Sequence, residues 1–101
     1  MNHTEQFEGI KMDIQAVDLT IGEDLQRKIR DMIKRLRRHI SEINWVDIYF
    51  KKQGSQSTNV RRVSIRLGIP GTDVFASDSG NEWSSLLKRV EEKLRRQLTK
   101  R

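Results

Sequence analysis

The chain alternates apolar and polar residues with a period of two in four stretches and repeats them with a helical period in two others. Ile10, Met12, Ile14 and Ala16 alternate with Lys11, Asp13 and Gln15, which predicts a half-buried strand. Leu25, Ile29, Met32, Ile33, Leu36 and Ile40 recur every three or four residues and predict a long helix over about 20–40. Thr20 and Glu23 have the spacing of a capping box, and Glu23 and Asp24 fall in the first turn, where carboxylates suit the helix dipole. Val46, Ile48 and Phe50 form the inner row of a second strand, about 43–52, with Trp45, Asp47, Tyr49 and Lys51 on its other side. KQGSQSTN reads as a flexible turn.

Val63, Ile65, Leu67 and Ile69 make the inner row of a third strand, with Arg62, Ser64 and Arg66 outside. Pro70-Gly71 signals a tight turn. Val74 and Ala76 point inward from a short fourth strand at about 72–77. Trp83, Leu87, Val90, Leu94 and Leu98 then set the apolar face of a last helix over about 81–101, with Asp78, Ser79 and Asn81 as candidate caps. Residues 1–8, MNHTEQFE, carry no pattern and read as a flexible N-terminal tail before a single domain of 9–101.

The order β-α-β-β-β-α, with one apolar face per element, predicts an α+β fold of two layers. Two roughly parallel helices pack on one face of a four-stranded mixed sheet, a layout like that of a double-stranded-RNA-binding domain. The strands flanking the first helix should be parallel and the later ones antiparallel.

Charge sharpens this picture. Of the 20 Lys and Arg residues, fourteen lie in the two predicted helices with six of the 14 acids, giving those segments +8 and the remainder −2. Basic helices on a mildly acidic sheet point to a polyanion partner. Cysteine is absent, which excludes disulfides, thiolate metal sites and a thiol nucleophile. No signal peptide or transmembrane run appears, so the chain reads as cytoplasmic, without a membrane partner. His3 falls in the tail and His39 at the end of a helix, no Gly-rich phosphate loop exists, and no segment offers an apolar pocket around paired carboxylates. The chain therefore reads as no enzyme, with no cofactor, metal or small-molecule substrate.

The candidate chemistry is cationic. Arg89, Lys93, Arg96 and Lys100 recur along one side of the last helix. On the first helix, Lys28 and Arg35 flank the apolar face on one side and Arg30 and Arg37 on the other, while Arg27, Lys34 and Arg38 point outward. Two such helices side by side should form a groove walled by basic residues. Arg27, Lys28, Arg35, Arg38, Arg89, Lys93, Arg96 and Lys100 are thus the candidate RNA-binding residues, acting on the backbone of folded RNA. The outer sheet face, with Trp45, Tyr49 and Phe75 beside Lys51, Arg62 and Arg66, is a second candidate, for bases or a protein partner. Cross-strand pairing explains it more simply.

The last strand and helix resemble those of the ribosome hibernation promoting factor family, also called ribosome-associated translation inhibitors or sigma-54 modulation proteins. The resemblance rests on Ala76-Ser77, on the run Lys93-Leu94-Arg95-Arg96-Gln97-Leu98-Thr99-Lys100, and on Leu25, Ile29, Arg35 and Leu36 of the first helix. It covers about residues 10–101. It implies binding to the small ribosomal subunit and its RNA, and inhibition of translation in stressed or resting cells. Lys93, Arg96, Lys100 and Arg35 match the family's basic positions. Gln26 and Met32 stand where the family often carries Arg and Lys, with Arg27, Lys28 and Arg30 beside them. The length matches the short form, without the added domain that pairs ribosomes. No separate surface for a polymerase factor stands out. A generic structured-RNA module and a protein–protein regulator using the sheet face are the alternative readings.

Overall fold

The computed structural model describes residues 1–53 and 60–100. Strands β1 (Asn2–Phe7) and β2 (Ile10–Ala16) precede helix α1 (Glu23–Leu36). Strands β3 (Trp45–Gln53), β4 (Val60–Ile69) and β5 (Thr72–Gly80) lead to helix α2 (Trp83–Thr99). One five-stranded sheet has the order β1-β2-β3-β4-β5. Strands β2 and β3 are parallel, and every other neighbouring pair is antiparallel, as the short connections require. Most of the turn expected at 52–59 lies outside the described residues.

The sheet corrects the four-stranded, double-stranded-RNA-binding-domain-like expectation, and the segment read as a flexible tail supplies the extra strand. Glu8 and Gly9 both have positive φ, 50° and 82°, the two-residue geometry that suits a tight hairpin. Strand β1 escapes the apolar alternation test because Phe7 alone among its residues packs against the main core. Its inward side chains are His3, Glu5 and half-buried Phe7, and Glu5 meets the flank of α1 through Arg30. Backbone pairing and an ion pair replace hydrophobic contrast.

Elsewhere the apolar rows lie where their period puts them. Met12, Ile14, Val46, Ile48, Phe50, Val63, Ile65 and Leu67 are buried against Ile29, Met32, Ile33, Leu36, Leu86, Val90 and Leu94. Trp83 closes one end, edge-on to Phe50 at 5.3 Å between ring centres. On the open face, Trp45 lies across its pairing partner Gly68, where any Cβ would stand 2.1 Å from the indole.

The expected helix caps are corrected. Helix α1 begins after Gly22, and no side chain caps it. Gln26 instead ties down the approaching loop by donating to the Ile21 carbonyl at 2.9 Å. Asp78 and Ser79 belong to β5, which runs on to Gly80, and α2 starts after Glu82 with no side-chain cap.

Candidate nucleic-acid interface

The groove between the helices is of mixed charge. Lys28 donates to the Ser84 hydroxyl at 2.8 Å, and Arg35 grips Glu91 with both arms of its guanidinium at 2.8 Å. Both contacts join residues 56 apart, so the helices run side by side in the same direction. Lys88 and Asp31 complete the groove walls. Glu91 holds the Arg35 pKa above its ordinary value through this hydrogen-bonded pair.

The row Arg89, Lys93, Arg96, Lys100 does not face α1, which corrects the expected basic groove. Arg89 and Lys93 lie over the outer edge of β5. Arg89 donates to the Ser79 carbonyl at 3.3 Å, Lys93 to the Ser77 carbonyl at 2.9 Å, and Gln97 to the Phe75 carbonyl at 2.6 Å. Four residues of helix rise roughly 6 Å, and two residues of strand roughly 6.6 Å, so each helix step meets the next free carbonyl of the edge. Asp78 stands between the two cations, 3.6 Å from Arg89 and 3.5 Å from Lys93. The Ser79 amide lowers the Asp78 pKa most, with help from Lys93 and Arg89. Arg96 points away from the sheet edge, 3.5 Å from Glu92, which Arg95 also holds. Lys100 follows the last turn, exposed.

The opposite flank of α1 is neutralised from the β1–β2 hairpin. Arg30 donates twice to Glu5 at 2.9 Å and once to Glu23 at 3.0 Å. Arg37 reaches Glu8 at 3.1 Å, and Lys34 stands 3.9 Å from the same carboxylate. The Arg30 hydrogen bonds hold Glu5 at about 2, well below the usual carboxylate range.

Of the eight sequence-derived candidates, the structure brings Lys28 and Arg35 together in the interhelical groove and Arg89 with Lys93 at the β5 edge. Arg27, 3.4 Å from exposed Asp24, sits on the outer side of α1, and exposed Arg38 lies in the turn just after its end. Lys28, Arg38 and Lys100 have no acidic partner among the described residues, and neither has Lys88, which the sequence reading left out. Lys88 falls on the flank of α2 that carries Ser84 and Glu91, and only the side-by-side packing reveals which flank meets α1. The two departures from the family pattern are structural here. Met32 is fully buried, and Gln26 is 8% exposed and engaged with Ile21, so neither offers a surface position for a cation.

On the open sheet face, Arg66 stacks on Phe75 at 4.9 Å, and Asp13 pairs in register with Asp47. Burial, then the Asp13 charge, raises the Asp47 pKa. Among the described residues no group of three or more His, Asp or Glu could hold a metal ion, and no helix is long and apolar enough to cross a membrane.

A family model described as sigma 54 modulation protein / S30EA ribosomal protein matches residues 12–101. A ribosome hibernation promoting factor of Acinetobacter guillouiae is 23% identical over 97 residues, which cover 90% of this chain and 86% of that protein. The fold is similar to the N-terminal domain of Protein Y from Thermus thermophilus, with a TM-score of 0.75 at 17% identity over 86% of this chain and 92% of that one. A ribosomal subunit interface protein from Coxiella burnetii also gives a TM-score of 0.75, at 18% identity over 88% of this chain and 93% of that one.

Proposed function

Because the chain belongs to the sigma 54 modulation protein / S30EA ribosomal protein family, we propose that it binds the small ribosomal subunit through its helix layer and holds back translation. The reading follows the name of its hibernation-promoting relative and gives the chain a cytoplasmic place of work. One observation carries the surface assignment. Lys28, Arg38, Lys88 and Lys100, on the helices or at their C-terminal ends, are in no ion pair among the described residues, and Arg35 bridges Glu91 with Asp31 adding to the field around it. Such cations gain most when a phosphate arrives, because no internal pair must break. Arg89, Lys93 and Arg96 contribute to the same field at longer range, and Arg27 faces solvent on the outer side of α1.

Co-sedimentation with isolated small subunits at moderate salt tests the proposal. The protein should pellet, and Gln at positions 28, 38, 88 and 100 together should release it and lower the log–log salt slope by about 4. Failure of the wild type to pellet overturns the reading. Tighter binding to plain RNA duplex than to the subunit assigns it to a generic structured-RNA module.

A further inference from the structure

The turn end of the β3–β4 hairpin carries an arrangement that folding alone does not explain. Lys51 pairs in register with Arg62, and Lys52 with Arg61. Like charges placed directly opposite one another destabilise a sheet. None of the four has an acidic partner among the described residues, and residues 54–59 contain no acid. The hydrogen-bond partners of Arg61 and Arg62 are neutral. Arg62 donates to the hydroxyls of Ser79 and Ser77 at 3.0 and 2.9 Å, and Arg61 to the Asn81 carbonyl at 2.6 Å. Arg61 also lies over the Trp83 ring at 5.5 Å, and its Nε is buried without an acceptor.

The surroundings add to the same field. Arg61 abuts the start of α2, the positive end of the helix dipole, where the N-cap Glu82 accepts from the Ser85 hydroxyl and the first turn itself contains no acid. Arg62 holds Ser77 and Ser79 by their hydroxyls, while Lys93 and Arg89 hold the same two residues by their carbonyls. Cations therefore grip one stretch of β5 from two sides, with Asp78 the acid between Arg89 and Lys93. Local rules of pairing are broken here twice, and such breaks gather where a protein meets a partner.

We propose that Lys51, Lys52, Arg61 and Arg62 form a second contact for an RNA phosphodiester backbone, set apart from the interhelical surface and astride the β5 edge. The inference rests on the RNA-binding reading above and extends it to a region outside the helices. Strand alternation puts Lys51 and Arg62 on the open face and Lys52 and Arg61 on the helix-side face. A phosphate chain passing over this end of the hairpin supplies negative charge to one pair on each side, and acceptors for guanidinium edges that neutral groups now occupy.

Two variants test it. Lys51→Gln/Lys52→Gln leaves the contacts of Arg61 and Arg62 in place. Binding of a fluorescein-labelled RNA hairpin, followed by anisotropy across a salt series, should lose about 2 from the log–log slope. Lys51→Glu turns one repulsive cross-strand pair into an attractive one, so it should raise Tm while weakening RNA binding. A purely structural role cannot move those two readouts in opposite directions. An unchanged slope and affinity in both variants overturns the proposal. Pelleting with ribosomes is measured in parallel. If the wild type pellets and the slope does not move, the second contact falls and the ribosomal reading stands. If the wild type fails to pellet but the hairpin slope falls as stated, the second contact stands without the ribosome.

Discussion

Glu5 ties a largely polar strand to the rest of the molecule. Its value of about 2 lies below the ordinary 4.5, because Arg30 donates two hydrogen bonds to the carboxylate. A depressed folded value stabilises the native state fully above about pH 4.5, and the benefit fades as pH falls towards 2. Thermal melts taken from neutral pH down to about 3 should show falling stability, and Glu5→Gln should flatten that fall while costing roughly 2 kcal/mol at neutral pH. Gly68 is the other position where one residue decides the local structure. A methyl group there would meet the Trp45 indole at 2.1 Å, so Gly68→Ala should displace the ring and cost roughly 1–3 kcal/mol. Trp45→Ala should remove most of that penalty, a coupling that a double-mutant cycle with tryptophan fluorescence measures directly. Neither role was open to sequence reading. Glu5 sits in an unpatterned stretch, and Gly68 acquires its neighbour only through the β3–β4 register.

At the level of elements, the period of the apolar residues located both helices and strands β2 to β5. Polar partners decided the rest. Strand β1 has no apolar stripe to detect, and the start of α1 depends on Gly22 rather than on the Thr20–Glu23 pair. Helix α1 presents two basic flanks with equal claim to face its neighbour, and the basic row of α2 has as good a claim as its mixed flank. Packing chose Ser84, Lys88 and Glu91 to meet α1, and gave Arg89 and Lys93 to β5. The Arg35–Glu91 bridge is therefore the element contact whose removal should matter for binding. Arg35 is 48% exposed, so Glu91→Gln should cost under about 1 kcal/mol in chemical denaturation. The same change frees a cation in the groove and should tighten ribosome binding, measured by co-sedimentation. A looser complex would place Arg35 outside the contact surface.

For the whole molecule, the division of charge between helices and sheet survives folding only in part. The sequence counts of +8 and −2 treat the layers as separate, yet Glu5 and Glu8 from the first hairpin sit against Arg30, Lys34 and Arg37. Three helical cations are thus held within the protein, while Lys51, Lys52, Arg61 and Arg62 keep their charge on a sheet counted as acidic. Charge counts see composition, and tertiary pairing decides which charges remain for a partner. Exchanging Glu8 for Gln should release Arg37 and Lys34 and steepen the salt dependence of RNA binding, read as a larger log–log slope in anisotropy.

The donors that α2 lends to the carbonyls of Phe75, Ser77 and Ser79 also govern how copies of this protein can meet. A sheet grows between molecules only where a border offers unsatisfied backbone, and here one border is already occupied from within. The remaining border belongs to β1. Two copies joined there, related by a two-fold axis, would use up the sole open side of each, so such association ends at a pair and has no route to a fibril.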